Sequence, residues 1–96
     1  MPTEIRAAVC RAFGAPLELE TLTLRDPGPG EIEVRLEAVA ICHSDISWID
    51  GAWGGALPAV YGHEAAGRIT ALGPDTAGLV LGERVLVTLI RACGSC

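Results

Sequence analysis

The stretch EIEVRLEAVA, residues 31–40, sets Ile32, Val34, Leu36 and Ala38 on one side of an extended chain and Glu31, Glu33, Arg35 and Glu37 on the other. Two-residue alternation is the period of a strand, so the segment predicts a strand with one wet and one dry face. Just before it, DPGPG (26–30) is turn chemistry, and LELETLTL (17–24) alternates again. The two runs are expected to pair as antiparallel neighbours. EIRAAVCRA (4–12) predicts a weaker strand, and strand character returns in AAGRITALG (65–73) and GERVLVTLI (82–90), separated by the turn-rich PDTAG (74–78).

Between these runs HSDISWID (43–50) predicts one or two helical turns, with Ser44 or Asp45 near the start and Gly51 as the stop. GAWGGALP (51–58) predicts a loop. Short strands punctuated by glycine, with one brief helix, predict a mostly β, barrel-like domain.

The 96 residues suffice for one small domain, and half of them are hydrophobic, which argues against disorder. A chain this short buries only about 60 % of its unfolded surface, so its stability without cross-links is expected to be modest. No apolar run reaches the roughly 18 residues a membrane helix needs, and MPTEIRAAVCRAF carries charges where a signal peptide would be apolar, so a cytoplasmic protein without a membrane partner is expected. The net charge is −5 and the seven basic residues are arginines spread singly along the chain, which argues against a nucleic-acid partner.

Four cysteines without an export signal point to thiol or metal chemistry rather than to disulfides. Cys42 and His63 lie 21 residues apart, each in an irregular segment beside a strand, where side chains can reach a shared cleft. A thiolate and an imidazole suit zinc, and Glu64 is the nearby candidate for a further ligand. The plainer alternative is that Cys42 packs in a core and His63 is a satisfied loop histidine. The final CGSC, Cys93 to Cys96, is either half of a four-ligand zinc site or a redox dithiol; the second needs a helix after the motif to lower the first thiol's pKa, and none follows in these residues. Cys10, inside a predicted strand, reads as packing.

CHSD (42–45), DGAW (50–53), LPAVYGHEAAG (57–67), LGERV (81–85) and CGSC (93–96) occur in the order and at the spacing of the zinc-dependent medium-chain alcohol dehydrogenases, which the chain resembles over essentially all of its length. The resemblance implies the GroES-like partial β-barrel that forms the catalytic domain of that family. Residues 1–96 are then expected to be its amino-terminal part, ending inside the structural-zinc lobe, with the nucleotide-binding Rossmann domain absent. No Gly-x-Gly-x-x-Gly fingerprint opens a helix in these residues.

By resemblance, Cys42 and His63 are ligands of the catalytic zinc, the family's third cysteine ligand is missing, and Glu64 is the acidic residue beside the metal, able to approach it. Asp45 resembles the carboxylate that hydrogen-bonds the far nitrogen of the ligand histidine. Ser44 matches the hydroxyl that relays the alcohol proton, and Ser47 stands where many relatives continue the relay with a histidine. A structural role for Ser44, capping the helix, is compatible with the relay. His43 falls where relatives face the cofactor's pyrophosphate, Trp53 and Leu89 where they line the substrate pocket, and Cys93 and Cys96 match the first two of four structural-zinc cysteines.

The implied activity is exchange of a hydride between an alcohol or aldehyde and NAD(P), with zinc as Lewis acid, in a longer homodimeric or homotetrameric protein. The present residues alone are expected to hold zinc weakly, to be inactive, and to expose strand edges and apolar surface. Two other classes fit the fold: a non-enzymatic barrel like the small co-chaperonin, and a zinc-free quinone reductase. Neither needs Cys42, His63 and Asp45 together.

Overall fold

The computed structural model describes residues 2–89. Five strands and one helix follow one another as β1 (Thr3–Val9), β2 (Glu18–Leu24), β3 (Ile32–Val39), α1 (His43–Ile49), β4 (Ala65–Leu72) and β5 (Arg84–Val87). They form two open antiparallel sheets, β1-β2 and β3-β4-β5. Each predicted strand is present, displaced by up to three residues at its ends. No helix among the described residues is long and apolar enough to cross a membrane.

The expected pairing of 17–24 with 31–40 does not occur. β2 pairs with β1 from Thr3↔Leu24 to Val9↔Glu18, and β3 pairs with β4 from Ile32↔Leu72 to Val39↔Ala65. Pro27 and Pro29 take two N–H donors out of the intervening turn, which works against a closing hairpin ladder. The turn is instead pinned by Glu31, whose carboxylate accepts from Arg25 Nη1 (2.7 Å), Arg25 Nη2 (3.0 Å) and the Gly28 N–H (2.8 Å). It is also stitched to the far end of β4, where the Gly73 N–H donates to the Glu31 carbonyl and the Gly30 N–H to that of Pro74, each at 2.8 Å.

The Glu31 clamp makes a pH-dependent contribution. The Arg25 guanidinium, then the Gly28 N–H, hold the Glu31 carboxyl at about 2, against 4.5 for a free one. A carboxyl whose pKa is lower in the folded state contributes its stability above pH 4.5 and loses it as the pH falls towards about 2. Both partners are well exposed, so solvent screens the pair and the effect is small. The melting temperature of the wild type is expected to exceed that of Glu31→Gln at neutral pH and to converge with it across this acid window. A constant difference down to pH 2.5 would contradict the clamp.

The dry face predicted for β3 is only partly dry. Ile32 and Val34 are half-buried, but Leu36 is 53 % and Val39 is 54 % exposed. Register shifts between Glu33/Val34 and Leu36/Ala38 interrupt the alternation, and Val34 and Leu36 line an open cleft shared with Ile5 and Arg6 of β1. Among the described residues the buried apolar side chains are Ala7, Val9, Cys10 and Ile69, so the Cys10 thiol is packing, as expected. Leu86, Ile41 and Leu19 stand in the open.

Three features of this scaffold place the candidate residues. The β3-β4 ladder runs to Val39↔Ala65 and is extended by the Ala40 N–H donating to the Glu64 carbonyl at 2.9 Å, so the chain segments just beyond the two strand ends emerge side by side. The loop that joins them is tied back to β1 by a bridge between Cys10 and Ala59. α1 stops where the sequence predicts: Gly51 adopts φ +82°, a left-handed conformation that terminates helices, and its N–H closes onto the Trp48 carbonyl.

Candidate metal centre

Cys42 leaves β3 in an extended conformation (φ −98°, ψ 151°) and caps α1. Three residues on, Asp45 turns its side chain back. Its Oδ2 accepts the Cys42 N–H at 3.0 Å, satisfying a donor at the helix start, while its Oδ1 meets His63 Nδ1 at 3.1 Å. One carboxylate thus holds both the residue that carries the thiol and the imidazole 21 positions away. Asp45 is 8 % exposed, the one charged residue classed as buried among those described, and both its oxygens are engaged.

An ionised carboxylate can only accept, so the contact calls for an N–H at His63 Nδ1, and Nε2 points away from Asp45. That nitrogen faces Glu64 Oε1 at 3.3 Å. Two lone-pair atoms this close call for a cation beside them, either a proton or a metal ion. The Cys42 sulfur completes the group: one ligand atom each from Cys42, His63 and Glu64 all lie within 4.8 Å of one another. Tetrahedral zinc, with bonds of about 2.0–2.3 Å, needs donors roughly 3.5 Å apart, so small side-chain adjustments suffice to close on an ion. A soft sulfur, a borderline nitrogen and a hard oxygen form a set suited to zinc. The donor set therefore fits the metal.

Ser44 Oγ lies beside this group and donates to the Cys42 sulfur at 3.2 Å. Ser47 Oγ donates back to the His43 carbonyl one turn earlier, at 3.4 Å, so its hydroxyl is committed to the helix backbone. His43 is exposed at the first residue of α1. Trp53 lies in the loop, 56 % exposed, with its ring edge-on to Trp48 at a centroid distance of 5.1 Å. Leu89, the last described residue, is 64 % exposed. Cys93 and Cys96 lie outside the described residues. The structure thus brings together Cys42, Ser44, Asp45, His63 and Glu64, with Trp53 attached through α1.

Two neighbours went unnoticed in the sequence. Trp48, on the last turn of α1, stacks on Tyr61 at 6.1 Å with an interplanar angle of 19°. A compositional signal was present: three of the four aromatic residues fall within positions 48–61.

The described residues thus form an open β domain whose strand ends bring a thiol, an imidazole and a carboxylate close to one point. Residues 28–96 match the alcohol dehydrogenase GroES-like domain family, and the chain belongs to that family. It is 39 % identical over 95 residues to an alcohol dehydrogenase of Moraxella sp. (strain TAE123), covering 96 % of this chain and 28 % of the relative. It is 41 % identical over 86 residues to the NADP-dependent alcohol dehydrogenase C of Mycobacterium bovis, covering 84 % and 25 %. Among solved structures, an alcohol dehydrogenase zinc-binding domain protein from Burkholderia ambifaria superposes with a TM-score of 0.92 at 41 % identity, over all of this chain and 26 % of the other. The mostly β architecture is that of the GroES-like domain of medium-chain dehydrogenases. The chain spans about a quarter of the length of the curated relatives it matches.

Proposed function

We propose that this chain carries the substrate-side metal centre of an NAD(P)-dependent alcohol dehydrogenase that interconverts an alcohol and an aldehyde or ketone. The observation that carries the reading is the convergence of Cys42, His63 and Glu64 within 4.8 Å, with the imidazole held by a buried carboxylate. An assembly barrel or a zinc-free reductase has no use for that combination. The nicotinamide cofactor is supported by a relative named as NADP-dependent, and zinc by a structural neighbour named as a zinc-binding domain protein.

Cys42 and His63 would hold the zinc, with Glu64 the further candidate ligand. The bound ion supplies Lewis acidity, lowering the pKa of an alcohol as it lowers that of water. Asp45 fixes the tautomer that points Nε2 of His63 at the ion and strengthens it as a donor. Ser44 holds a transferable proton at Oγ, next to the Cys42 sulfur, and takes over the proton of the substrate hydroxyl. Because Ser47 is turned onto the backbone, the proton leaves Ser44 directly to water. By family resemblance the exposed Trp53 and Leu89 would line the substrate pocket, and His43, exposed at the start of α1, would meet the cofactor's phosphates. Cys93 and Cys96 contribute half of a second, structural zinc site. The hydride acceptor is held by the part of a longer, oligomeric protein that corresponds to the remaining three quarters of its relatives.

Cobalt titration tests the centre. In a Cys93→Ser/Cys96→Ser background the chain is expected to bind one Co(II) with a thiolate charge-transfer band, and Cys42→Ser is expected to abolish that band. His63→Ala is expected to weaken binding at least tenfold. A band of unchanged intensity in the Cys42→Ser variant would overturn the assignment.

A further inference from the structure

The segments that supply the two metal ligands touch at a second place. Cys42 and Trp48 lie at opposite ends of α1, six residues or about 9 Å apart along the helix axis. Tyr61 and His63 are two residues apart in an irregular segment, about 6.6 Å if extended. His63 bonds Asp45 and comes within 4.8 Å of the Cys42 sulfur at one end of this pair of segments, and Trp48 stacks on Tyr61 at the other. Both contacts therefore lie within roughly a nanometre of each other along either chain.

Among the described residues, little else fixes the segment carrying His63. It has no regular secondary structure between Val60 and Glu64 and includes Gly62 at φ +145°, a conformation that favours glycine. Its backbone anchors are Ala59, bridged to Cys10, and Glu64, bonded to Ala40. Between these, the Tyr61 ring and the His63 imidazole are its ties to α1. Trp48 is itself held from behind: the Trp53 ring meets it edge-on, and a Cβ on Gly55 would lie only 3.5 Å from its Cζ3.

We propose that the Trp48–Tyr61 stack is a positioning clasp that sets the separation of Cys42 from His63 and, through it, how tightly the pair holds a divalent ion. The inference rests on the metal centre proposed above. Asp45 fixes the rotation of the imidazole, whereas the clasp fixes where the backbone that carries it runs. Neither aromatic residue touches the ion; both act through the ligands.

The test is Co(II) titration of the 96-residue chain with Cys93→Ser and Cys96→Ser, with far-UV circular dichroism of the metal-free protein as the check on folding. Trp48→Ala and Tyr61→Leu are each expected to weaken Co(II) binding about tenfold or more and to shift its d–d bands, while Tyr61→Phe, which keeps the ring, binds within about twofold of the parent. Equal affinity in folded Trp48→Ala or Tyr61→Leu overturns the clasp. So does the loss of the metal-free fold in both, because the stack then serves the fold and not the centre. Weak binding by Tyr61→Phe also overturns it, since the ring is still present. A parent with no thiolate-to-cobalt band sinks the metal centre itself, and the clasp with it; a parent with the band and variants that match it sink the clasp alone.

Discussion

Replacing Asp45 with alanine is expected to weaken divalent-metal binding at Cys42 and His63 by about 10- to 100-fold and to destabilise the start of α1. The carboxylate makes two bonds that no other group replaces, one to the Cys42 N–H and one to His63 Nδ1. Without it, the imidazole is free to rotate and to exchange tautomers, and two partly buried donors lose their acceptor at roughly 1–3 kcal/mol each. Asparagine separates the two roles. An amide has one acceptor oxygen where this site needs two, so Asp45→Asn must present its NH2 either to the Cys42 N–H or to His63. If it faces His63, it forces the proton onto Nε2, the nitrogen needed by the metal. Asp45→Asn is therefore expected to lose metal affinity nearly as fully as Asp45→Ala while keeping more thermal stability. Chelator competition and melting curves on the two variants measure this, and native zinc affinity in Asp45→Asn would refute the orienting role.

Gly67→Ala is expected to lower the melting temperature by on the order of 10 °C or more. Gly67 is buried in β4, the central strand of its sheet, between Leu36 and Val85. A Cβ there would lie 2.2 Å from the Arg35 carbonyl oxygen and 2.8 Å from Val34 Cγ1. The first contact is with backbone, so relief requires β3 to move away from β4. Such overpacking typically costs about 1–3 kcal/mol, a large share of the stability of so small a domain. Displacing β3 also disturbs the ladder end at Val39↔Ala65 that brings Cys42 and His63 together, so metal affinity is expected to fall with stability. Gly78→Ala is the comparison: a Cβ there meets nothing within 4 Å, and only the strain of φ +81° is felt. A Gly67→Ala variant no less stable than Gly78→Ala would show that β3 yields more easily than its hydrogen bonding suggests.

Much of the centre was legible because its parts are local. CHSD carries the thiol, the hydroxyl and the carboxylate within four residues, and HE carries the imidazole and its neighbour. The i to i+3 relation of Cys42 and Asp45 is a helix-start geometry that any short helix supplies. The Trp48–Tyr61 contact was not legible, because it joins a helix to an irregular segment 13 residues on and belongs to no periodic pattern. The burial of β3 was misjudged for a related reason. Alternation in EIEVRLEAVA states which side chains share a face, but whether that face is covered depends on a partner elsewhere, and Leu36 looks onto an open cleft across from β1.

By itself the sequence determined the elements and the chemistry: strand period from alternating apolar residues, the helix stop at Gly51, and a thiol and an imidazole in chain segments irregular enough to present them. Tertiary structure alone decided the partners. Neighbouring strands were expected to pair, yet β2 turned to β1 and β3 to β4, because periodicity encodes the face of a strand and not the identity of the backbone that will bond to its edge. The meeting of Cys42 with His63 follows from that choice, since it is the end of the β3-β4 ladder, and no feature of either residue, that sets them side by side.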